Sequence, residues 1–450
     1  MMEIRDSILG QFVRISVHRR AEPVTFVLEN EPALAHCVHC RNSMLEHLRP
    51  QYARRFSCLG SQCEDNCCRM WEVPIDRASY ERYERNPELR PHLQDYFSLI
   101  SDGATERRHA LIRMNAASVC PFLSPERLCR LQQEYGESFL SESCATYPRN
   151  PRRLDGLLEQ SLSLSCIEAA RLVLLSPQLM PRAETGSSRY SRLLVLPDQA
   201  IAPNQNQFRN FWDIREFCLL LVQDRTYPLW ERLFILGMFC KRLGEIVGTR
   251  QFGRVPTLLH DYSEITSSGK LRTDMANIPV HSEAQVKMVV EVAFGYLRTH
   301  KAGLCDIDKC LQDFLHGVGY NVDESLESCT QLYVHAYGEY YDPFMERYPY
   351  LLENYLINHI FRVVFPFGQV PEDMFERPQR EFLFMCVEFA VLKGLLIGAA
   401  GRYRELLSGE HVVKLVQSLA KTFEHDATLG GALNWQGLAE ANCVAALLKN

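Results

Sequence analysis

The cysteines are the feature that most constrains this chain. Seventeen occur among 450 residues, and residues 56–68 read FSCLGSQCEDNCC, so that four thiols lie within eleven residues. This concentration is costly without a use, because thiolates repel one another and exposed thiols oxidise. A bound cation removes both problems, since it deprotonates the thiols and neutralises their charge. Together with later cysteines, they form a candidate set of eight metal ligands: Cys58, Cys63, Cys67, Cys68, Cys120, Cys129, Cys144 and Cys166.

The cysteines predict metal binding rather than disulfide formation. The first twenty residues lack the apolar segment of a secretory signal, so we expect a cytoplasmic protein with reduced thiols. Clustered thiols in that compartment are typical of metal sites. Seven further cysteines lie in segments with a helical pattern, and we interpret them as small buried side chains: Cys218, Cys240, Cys305, Cys310, Cys329, Cys386 and Cys443.

The spacing favours iron–sulfur over zinc. Zinc sites usually combine paired C-x2-C knuckles, which C-x4-C-x3-C-C does not match. Iron–sulfur clusters accept irregular spacing, and a Cys followed by Pro, as in Cys120-Pro121, occurs in ferredoxin-type runs. We therefore expect a [4Fe–4S]-type cluster, with zinc as the alternative. Spacing alone leaves open which four thiols bind one cluster, and whether there are two clusters.

The rest of the chain predicts a mainly α protein, in which a cysteine-rich metal-binding N-terminal region with long loops precedes a helical C-terminal domain. Apolar residues recur at helical spacing near 212–222, 229–247, 284–299, 352–363, 380–400, 411–423 and 432–448. Pro366 is expected to end the helix that begins near Leu352, and Glu353 could face solvent. The predicted domains are an extension at 1–47, a cysteine-rich domain at 48–175, a linker or long loop at 176–210, and a helical domain at 211–450.

Charge and patterning exclude several functions. The net charge of −6 argues against a broad basic surface for nucleic acid. The most apolar run, Phe382 to Gly401, contains Glu388 and Lys393. Each would cost roughly 2.5–3.5 kcal/mol at a bilayer centre, so we expect a buried core helix and no membrane partner. The Gly317 and Gly319 pair follows helical sequence rather than a strand, which argues against a Rossmann-type nucleotide loop.

Several separated motifs together resemble one family. They are FSCLGSQCEDNCCRMWEVPID, CPFL, LCRLQQEYGESFLSESC, TYPR, SLSLSCIEAARL and LENYLINHIFRVVFPF. Over about residues 50–450 the chain resembles the bacterial flagellin lysine-N-methylase family, and its N-terminal part resembles the CxxCxxCC zinc- or iron-chelating group. The matching positions are the eight cysteines, Trp71, Tyr147-Pro148-Arg149 and the segment 355–367.

The resemblance implies a cytoplasmic enzyme that methylates lysine side chains of flagellin. It also implies S-adenosylmethionine as the methyl donor and an iron–sulfur cluster. The standard radical spacing C-x3-C-x2-C is not met, because Cys68 directly follows Cys67. We therefore favour polar methyl transfer, with a cluster that braces the fold or positions a ligand.

The candidate catalytic residues are Tyr355 and His359, one helical turn apart. Methyl transfer needs a neutral amine, and free lysine has a pKa near 10.4, so the site must desolvate the amine or offer a base. An aromatic-lined slot also holds cations such as a sulfonium. A tyrosine-rich stretch is available for it, although ordinary helix packing is the preferred explanation for these residues: Tyr333, Tyr337, Tyr340, Tyr341, Tyr348, Tyr350 and Tyr355.

Two other functions fit parts of the same pattern. The first is a non-enzymatic iron- or zinc-binding module, with a helical domain that binds a partner. The second is a redox protein that uses the cluster for electron transfer. Iron content and methyl incorporation into flagellin would separate these functions from a methyltransferase.

Overall fold

Helices form most of the chain from residue 47 onward. The computed structural model describes residues 47–48, 50–69, 71–154, 157–179, 210–299, 306–321, 323–368, 377–425 and 446–450. The helices are α1 (Gln51–Arg55), α2 (Arg77–Arg85), α3 (Leu93–Tyr96), α4 (Arg130–Tyr135), α5 (Glu142–Thr146), α6 (Ile167–Leu174), α7 (Phe211–Gln223), α8 (Leu229–Gly248), α9 (Val255–Ser268), α10 (Arg272–Ala276), α11 (Ser282–Thr299), α12 (Asp306–Gly317), α13 (Leu326–Ala336), α14 (Asp342–Arg347), α15 (Tyr350–Val363), α16 (Arg377–Tyr403) and α17 (Gly409–His425).

The mainly α fold class is confirmed. Helices follow six of the seven predicted stretches, and most of the seventh (432–448) lies outside the described residues. Most of the predicted extension at 1–47 and of the linker at 176–210 lies outside them too. The boundary between a cysteine-rich and a helical domain stays a prediction.

The strands are short and confined to the cysteine-rich part of the described chain. They are β1 (His47–Leu48), β2 (Pro74–Ile75), β3 (Phe97–Leu99), β4 (Ala110–Ile112), β5 (Arg149–Leu154) and β6 (Leu157–Leu162). One sheet has the order β1-β6-β5, with β1 parallel to β6 and β5 antiparallel to it. The other has the antiparallel order β2-β4-β3.

Two hydrophobic clusters divide the packing. The smaller one runs from Val73 to Leu140 and stabilises the second sheet with α2 to α4. The larger one gathers the helices from α7 to α17, and it also takes Tyr52 of α1 and Leu162 of β6. The chain on either side of the smaller cluster therefore packs directly into the helical core.

Helix α16 is the central helix of that core. Its segment from Pro378 is long and apolar enough to cross a membrane, but 83% of its most apolar window is buried inside the protein. The run from Phe382 to Gly401 is thus a core helix, as expected. Glycines let α12 approach it closely, because a Cβ on Gly317 would lie only 1.7 Å from the carbonyl oxygen of Gly398. Gly317 is therefore required for helix packing.

The prediction for Glu353 is wrong. This residue of α15 is only 4% exposed, and Arg225 binds both of its carboxylate oxygens at 2.8 and 2.9 Å. Buried Arg232 donates to it at 2.8 Å. The same helix ends at Val363, where Val364 adopts a left-handed φ of 58° two residues before Pro366. The position of Glu353 on its helix could not predict its burial, because the two arginines that pair with it lie on other parts of the chain.

Candidate functional site

Seven of the eight cysteines lie near one another around Cys67, and the eighth, Cys58, lies near Cys63. The thiol of Cys68 shares hydrogen bonds with those of Cys67 and Cys120. Besides Cys68, five thiols lie close enough to Cys67 for its charge to affect their pKa, and Cys58 acts in the same way on Cys63. The five are Cys63, Cys120, Cys129, Cys144 and Cys166. Sulfurs that are far apart in sequence thus form one group, the cysteine assembly.

Turns and helix starts position these thiols. Gly60, at a φ of +57°, begins a short 3-10 turn after Cys58. The side chain of Asn66 holds the next turn, because it accepts from the Cys68 amide at 2.8 Å and donates to the Arg127 carbonyl at 2.9 Å. Two further cysteines, at the N-caps of α4 and α6, present their thiols where helices start: Cys129 and Cys166.

The surroundings shift the pKa values of the thiols in opposite directions. Hydrogen bonds from Cys68 lower the pKa of Cys67 and of Cys120, and the same bonds raise the pKa of Cys68. Burial raises the pKa of Cys144 and of Cys166 to about 12. A metal centre here would have to replace protons on the buried thiols, so its binding would release protons.

All eight thiols are free, and no disulfide joins them. Within the part of the chain that the structure describes, no three His, Cys, Asp or Glu side chains are disposed to hold a metal ion as they stand. The donor chemistry still suits a metal that prefers sulfur, since the assembly is made of thiols alone. Their role as ligands stays a prediction.

The loop that carries Cys58 to Cys68, which we call the cysteine loop, is hydrogen-bonded to the helical core. Asp65 accepts hydrogen bonds from Gln417 and Lys421 of α17, and Lys421 also forms an ion pair with it. Arg171 of α6 bridges the loop residue Glu64 to Glu410, the latter at 2.9 Å. Ion pairs therefore connect the assembly to two helices outside the small hydrophobic cluster.

A chain of polar contacts leads from the assembly into that core. Trp71 donates to the carbonyl of Cys67 at 2.6 Å and stacks on Tyr147, with ring centroids 5.4 Å apart. The Tyr147 hydroxyl lies 3.0 Å from that of Ser165, which lies 2.6 Å from that of Ser163. Ser163 then donates to the carboxylate of Glu424.

That carboxylate lines a small internal pocket, which we call the Glu388 pocket. Helices α15, α16 and α17 surround it, and its free space is about 10 Å³, room for about one water molecule. The lining is Leu164, Tyr355, Asn358, His359, Arg362, Glu388, Leu392, Val416, Leu419, Ala420 and Glu424. The predicted pair Tyr355 and His359 therefore lies in this pocket, with ring centroids 6.3 Å apart.

Glu388 is the central acid of the pocket. Its side chain is 18% exposed, and burial raises its pKa to about 7 despite the opposing charge of Arg362. The Tyr355 hydroxyl donates to its Oε2 at 3.4 Å, and His359 Nδ1 lies 3.4 Å from the same oxygen. On the far side, Arg362 Nε is 3.3 Å from Glu424 Oε1. The pocket thus holds two carboxylates, of which Glu388 changes charge near neutral pH.

His359 is held neutral. Burial and then the charge of Arg362 set its pKa well below the ordinary 6.5. Its Nδ1 makes no hydrogen bond among the described residues, although the Glu388 carboxylate is near. Burial also raises the pKa of Tyr355 well above 10, so its hydroxyl keeps its proton. Of these three groups, only Glu388 is suited to gain and lose a proton near pH 7.

Most of the tyrosine-rich stretch lies elsewhere. Tyr333 and Tyr341 are buried in the core, and a π-helical turn spans Tyr337–Tyr341. The ring of Tyr337 lies 5.8 Å from the buried Nζ of Lys393. Only Tyr355 of the seven lines the Glu388 pocket.

Sequence reasoning missed Glu388, Arg362 and Glu424 as site residues. Glu388 did carry a signal, because a carboxylate inside a long apolar run must be buried with partners. The sequence could not name those partners, since Glu424 follows 36 residues later on another helix.

Comparison with known proteins identifies the family. Residues 215–434 match the model of the FliB lysine N-methylase C-terminal domain. A flagellar biosynthetic protein FliU of Salmonella muenchen is 32% identical over 147 residues, which are 32% of this chain and 86% of that protein. The chain belongs to the lysine N-methylase family. A lysine-N-methylase of Salmonella typhimurium is 23% identical over 385 residues, 84% of this chain and 92% of the relative.

A second lysine-N-methylase, from Salmonella choleraesuis, matches over the same shares of both chains. No solved structure matches this lysine N-methylase family member. The Glu388 pocket falls almost wholly inside the matched domain, whereas the cysteine assembly precedes it. The recognition of the family from its motifs is therefore confirmed.

Proposed function

We propose that this lysine N-methyltransferase methylates flagellin, with S-adenosylmethionine as donor and Glu388 as the group that accepts the lysine proton. The observation that carries the assignment of the base is the buried carboxylate of Glu388, whose pKa is raised to about 7 inside the matched domain. The flagellar relative supports a flagellar substrate. The resemblance of the motifs supports flagellin and the donor.

The chemistry requires a neutral lysine amine. A lysine ammonium has a pKa near 10.4 and cannot attack the sulfonium methyl group. Above about pH 7, Glu388 is a carboxylate and can take one proton from the ammonium. The freed nitrogen lone pair then forms the N–CH₃ bond while the S–CH₃ bond breaks, and the sulfur keeps its electron pair. Arg362 and Tyr355 favour the carboxylate form of Glu388 before the proton arrives.

The size of the pocket limits what enters it without movement. Its free space of about 10 Å³ suits one water molecule, and an amine head is a single non-hydrogen atom of similar size. The stem of a lysine needs more room, so the side chains that line the pocket must move apart when substrate binds. Neutral His359, with its ring beside Tyr355, would then face the amine without adding positive charge.

We propose that the cysteine assembly holds a [4Fe–4S] cluster, with zinc as the alternative. The convergence of the thiols on Cys67 supports this proposal. Loading would draw the thiols closer together than they stand. When bound, the cluster would supply a rigid, charged centre. The chain's own residues, from Trp71 through Tyr147 to Ser163, would transmit that rigidity to the Glu424 side of the pocket.

The test is methyl transfer from labelled S-adenosylmethionine to purified flagellin, with anaerobically prepared enzyme. We expect Glu388→Gln to lower kcat by about 10²–10⁴-fold, the usual contribution of a general base. Wild-type kcat should rise with pH through about 7, because the carboxylate is the active form. The matched control is Glu339→Gln, an exposed glutamate. Full activity of folded Glu388→Gln would refute the role of the base, and absence of label from flagellin with wild-type enzyme would refute the substrate.

A further inference from the structure

A short segment outside the Glu388 pocket is bound like a peptide ligand. Residues 446–450 lie against the core, with Leu447 7% and Leu448 0% exposed. Gln285 Nε2 donates to the carbonyls of Ala446 at 3.0 Å and Lys449 at 2.7 Å. Lys393 Nζ donates to the carbonyl of Leu448 at 2.7 Å. These three contacts are made to backbone carbonyls, so they do not depend on the side chains that the segment carries.

The side chain of Lys449 enters a slot of its own. Its Nζ donates to the backbone carbonyls of Met275 at 3.2 Å, Ala276 at 2.8 Å and Ile278 at 2.7 Å. An ammonium has three N–H donors, so the slot offers one acceptor for each. The ring of Trp230 lies 5.1 Å from Nζ, within the range of a cation–π contact. We call this the Trp230 slot.

The groups that hold the segment are buried polar side chains. Gln285 is 2% exposed and Lys393 is 7% exposed. Burying an amide and an amine is costly unless each is hydrogen-bonded, and an apolar core would hold Leu447 and Leu448 without either. Gln285 is oriented further, because its Oε1 accepts from the Tyr333 hydroxyl at 3.0 Å. Gln285 and Lys393 therefore hold the segment through its backbone, and the Trp230 slot holds its lysine.

We propose that the Trp230 slot is a recognition site for a lysine side chain on a peptide, and that Lys449 occupies it in place of a lysine of the protein substrate. The carbonyl lining binds the ammonium form, so the slot docks a lysine rather than activating it. This inference rests on the proposed function only for the identity of the protein that supplies the lysine.

The test is direct binding of the peptide acetyl-Gly-Lys-amide, which needs only the slot, to the full chain by calorimetry, without methyl donor. Lys449→Ala removes the competing side chain, while Leu447 and Leu448 remain to anchor the segment. If Lys449 fills the slot nine-tenths of the time, its removal should tighten peptide binding about tenfold. Exposed Lys270→Ala is the matched control and should bind the peptide as wild type does.

Two further measurements separate recognition from simple clamping. The same peptide with norleucine in place of lysine should bind Lys449→Ala about tenfold more weakly, since it lacks the ammonium. Adding Trp230→Ala to that variant should also weaken the lysine peptide about tenfold. Equal binding of both peptides, or no binding to folded Lys449→Ala, would show that Lys449 only fastens its own segment and would overturn the proposal.

The outcome is independent of methyl transfer. Peptide binding without label on flagellin would leave the slot standing and refute the proposed substrate. Label on flagellin without peptide binding would support the proposed substrate and refute the slot. Where both are observed, Lys449→Ala should lower KM for flagellin.

Discussion

The stability of this protein should depend on pH through Glu388, and the substitution Glu388→Gln isolates that dependence. The glutamine keeps nearly the same shape but cannot ionise. In the wild-type protein, burial raises the pKa of Glu388 from its ordinary value of 4.5 to about 7. The folded state therefore holds a proton between these two pH values that the unfolded chain has already released.

The sign and size follow from proton linkage. Because the folded state binds one more proton, the free energy of unfolding of the wild type falls as pH rises from 4.5 to 7. Each pH unit corresponds to about 1.36 kcal/mol, so the loss approaches roughly 3 kcal/mol and is complete above about pH 7. Glu388→Gln lacks this loss. Its stability relative to wild type should therefore rise by roughly 3 kcal/mol between pH 4.5 and pH 8.

The assay is urea unfolding of both proteins at several pH values, followed by the difference between their unfolding free energies. Taking the difference cancels the contributions of the titratable groups that the two proteins share. The exposed Glu339→Gln serves as the control for the loss of a glutamate from the surface. Parallel curves for Glu388→Gln and wild type would refute the argument, because Glu388 would then ionise in the folded protein as it does in the unfolded chain.

Three further predictions concern other parts of the molecule. Cys120→Ser should lower the iron or zinc content of the purified protein, as measured by metal analysis. The control Cys218→Ser, at a buried packing residue, should not lower it. Equal metal content in both variants would exclude Cys120 as a ligand. Arg215→Ala should cost about 3–5 kcal/mol in urea unfolding, because it leaves the buried carboxylate of Glu159 without its ion-pair partner; a loss under 1 kcal/mol would contradict this. Burial lowers the pKa of Lys393 to about 7, so above pH 7 the unfolded chain binds a proton that the folded protein does not. The free energy of unfolding of the wild type, relative to that of Lys393→Met, should therefore rise by roughly 1.4 kcal/mol per pH unit. Urea unfolding of both proteins at pH 7 and pH 9 measures this difference.

The sequence by itself determined the helices and identified the cysteines as a group. Helical periodicity is a local signal, and it located α7, α8, α11 and α15 to α17 because a helix buries one face whatever it packs against. The cysteines were recognisable because thiols at that density are costly unless something uses them. Their convergence on Cys67 fits that reasoning, although the spacing could not select which thiols meet.

Only the tertiary structure decided which charges are buried and what they do. Glu353 and Glu388 both lie on helices, and nothing in their local sequence distinguishes a salt-bridged glutamate from one whose pKa is raised to about 7. Burial raises the pKa of Glu388, and the charge of Glu424, 36 residues away, adds to this effect. Glu353 is buried too, but it pairs with Arg225 and Arg232, which lie 128 and 121 residues before it. Electrostatic energy depends on distance in space and on burial, and neither is encoded at the position of the charge itself.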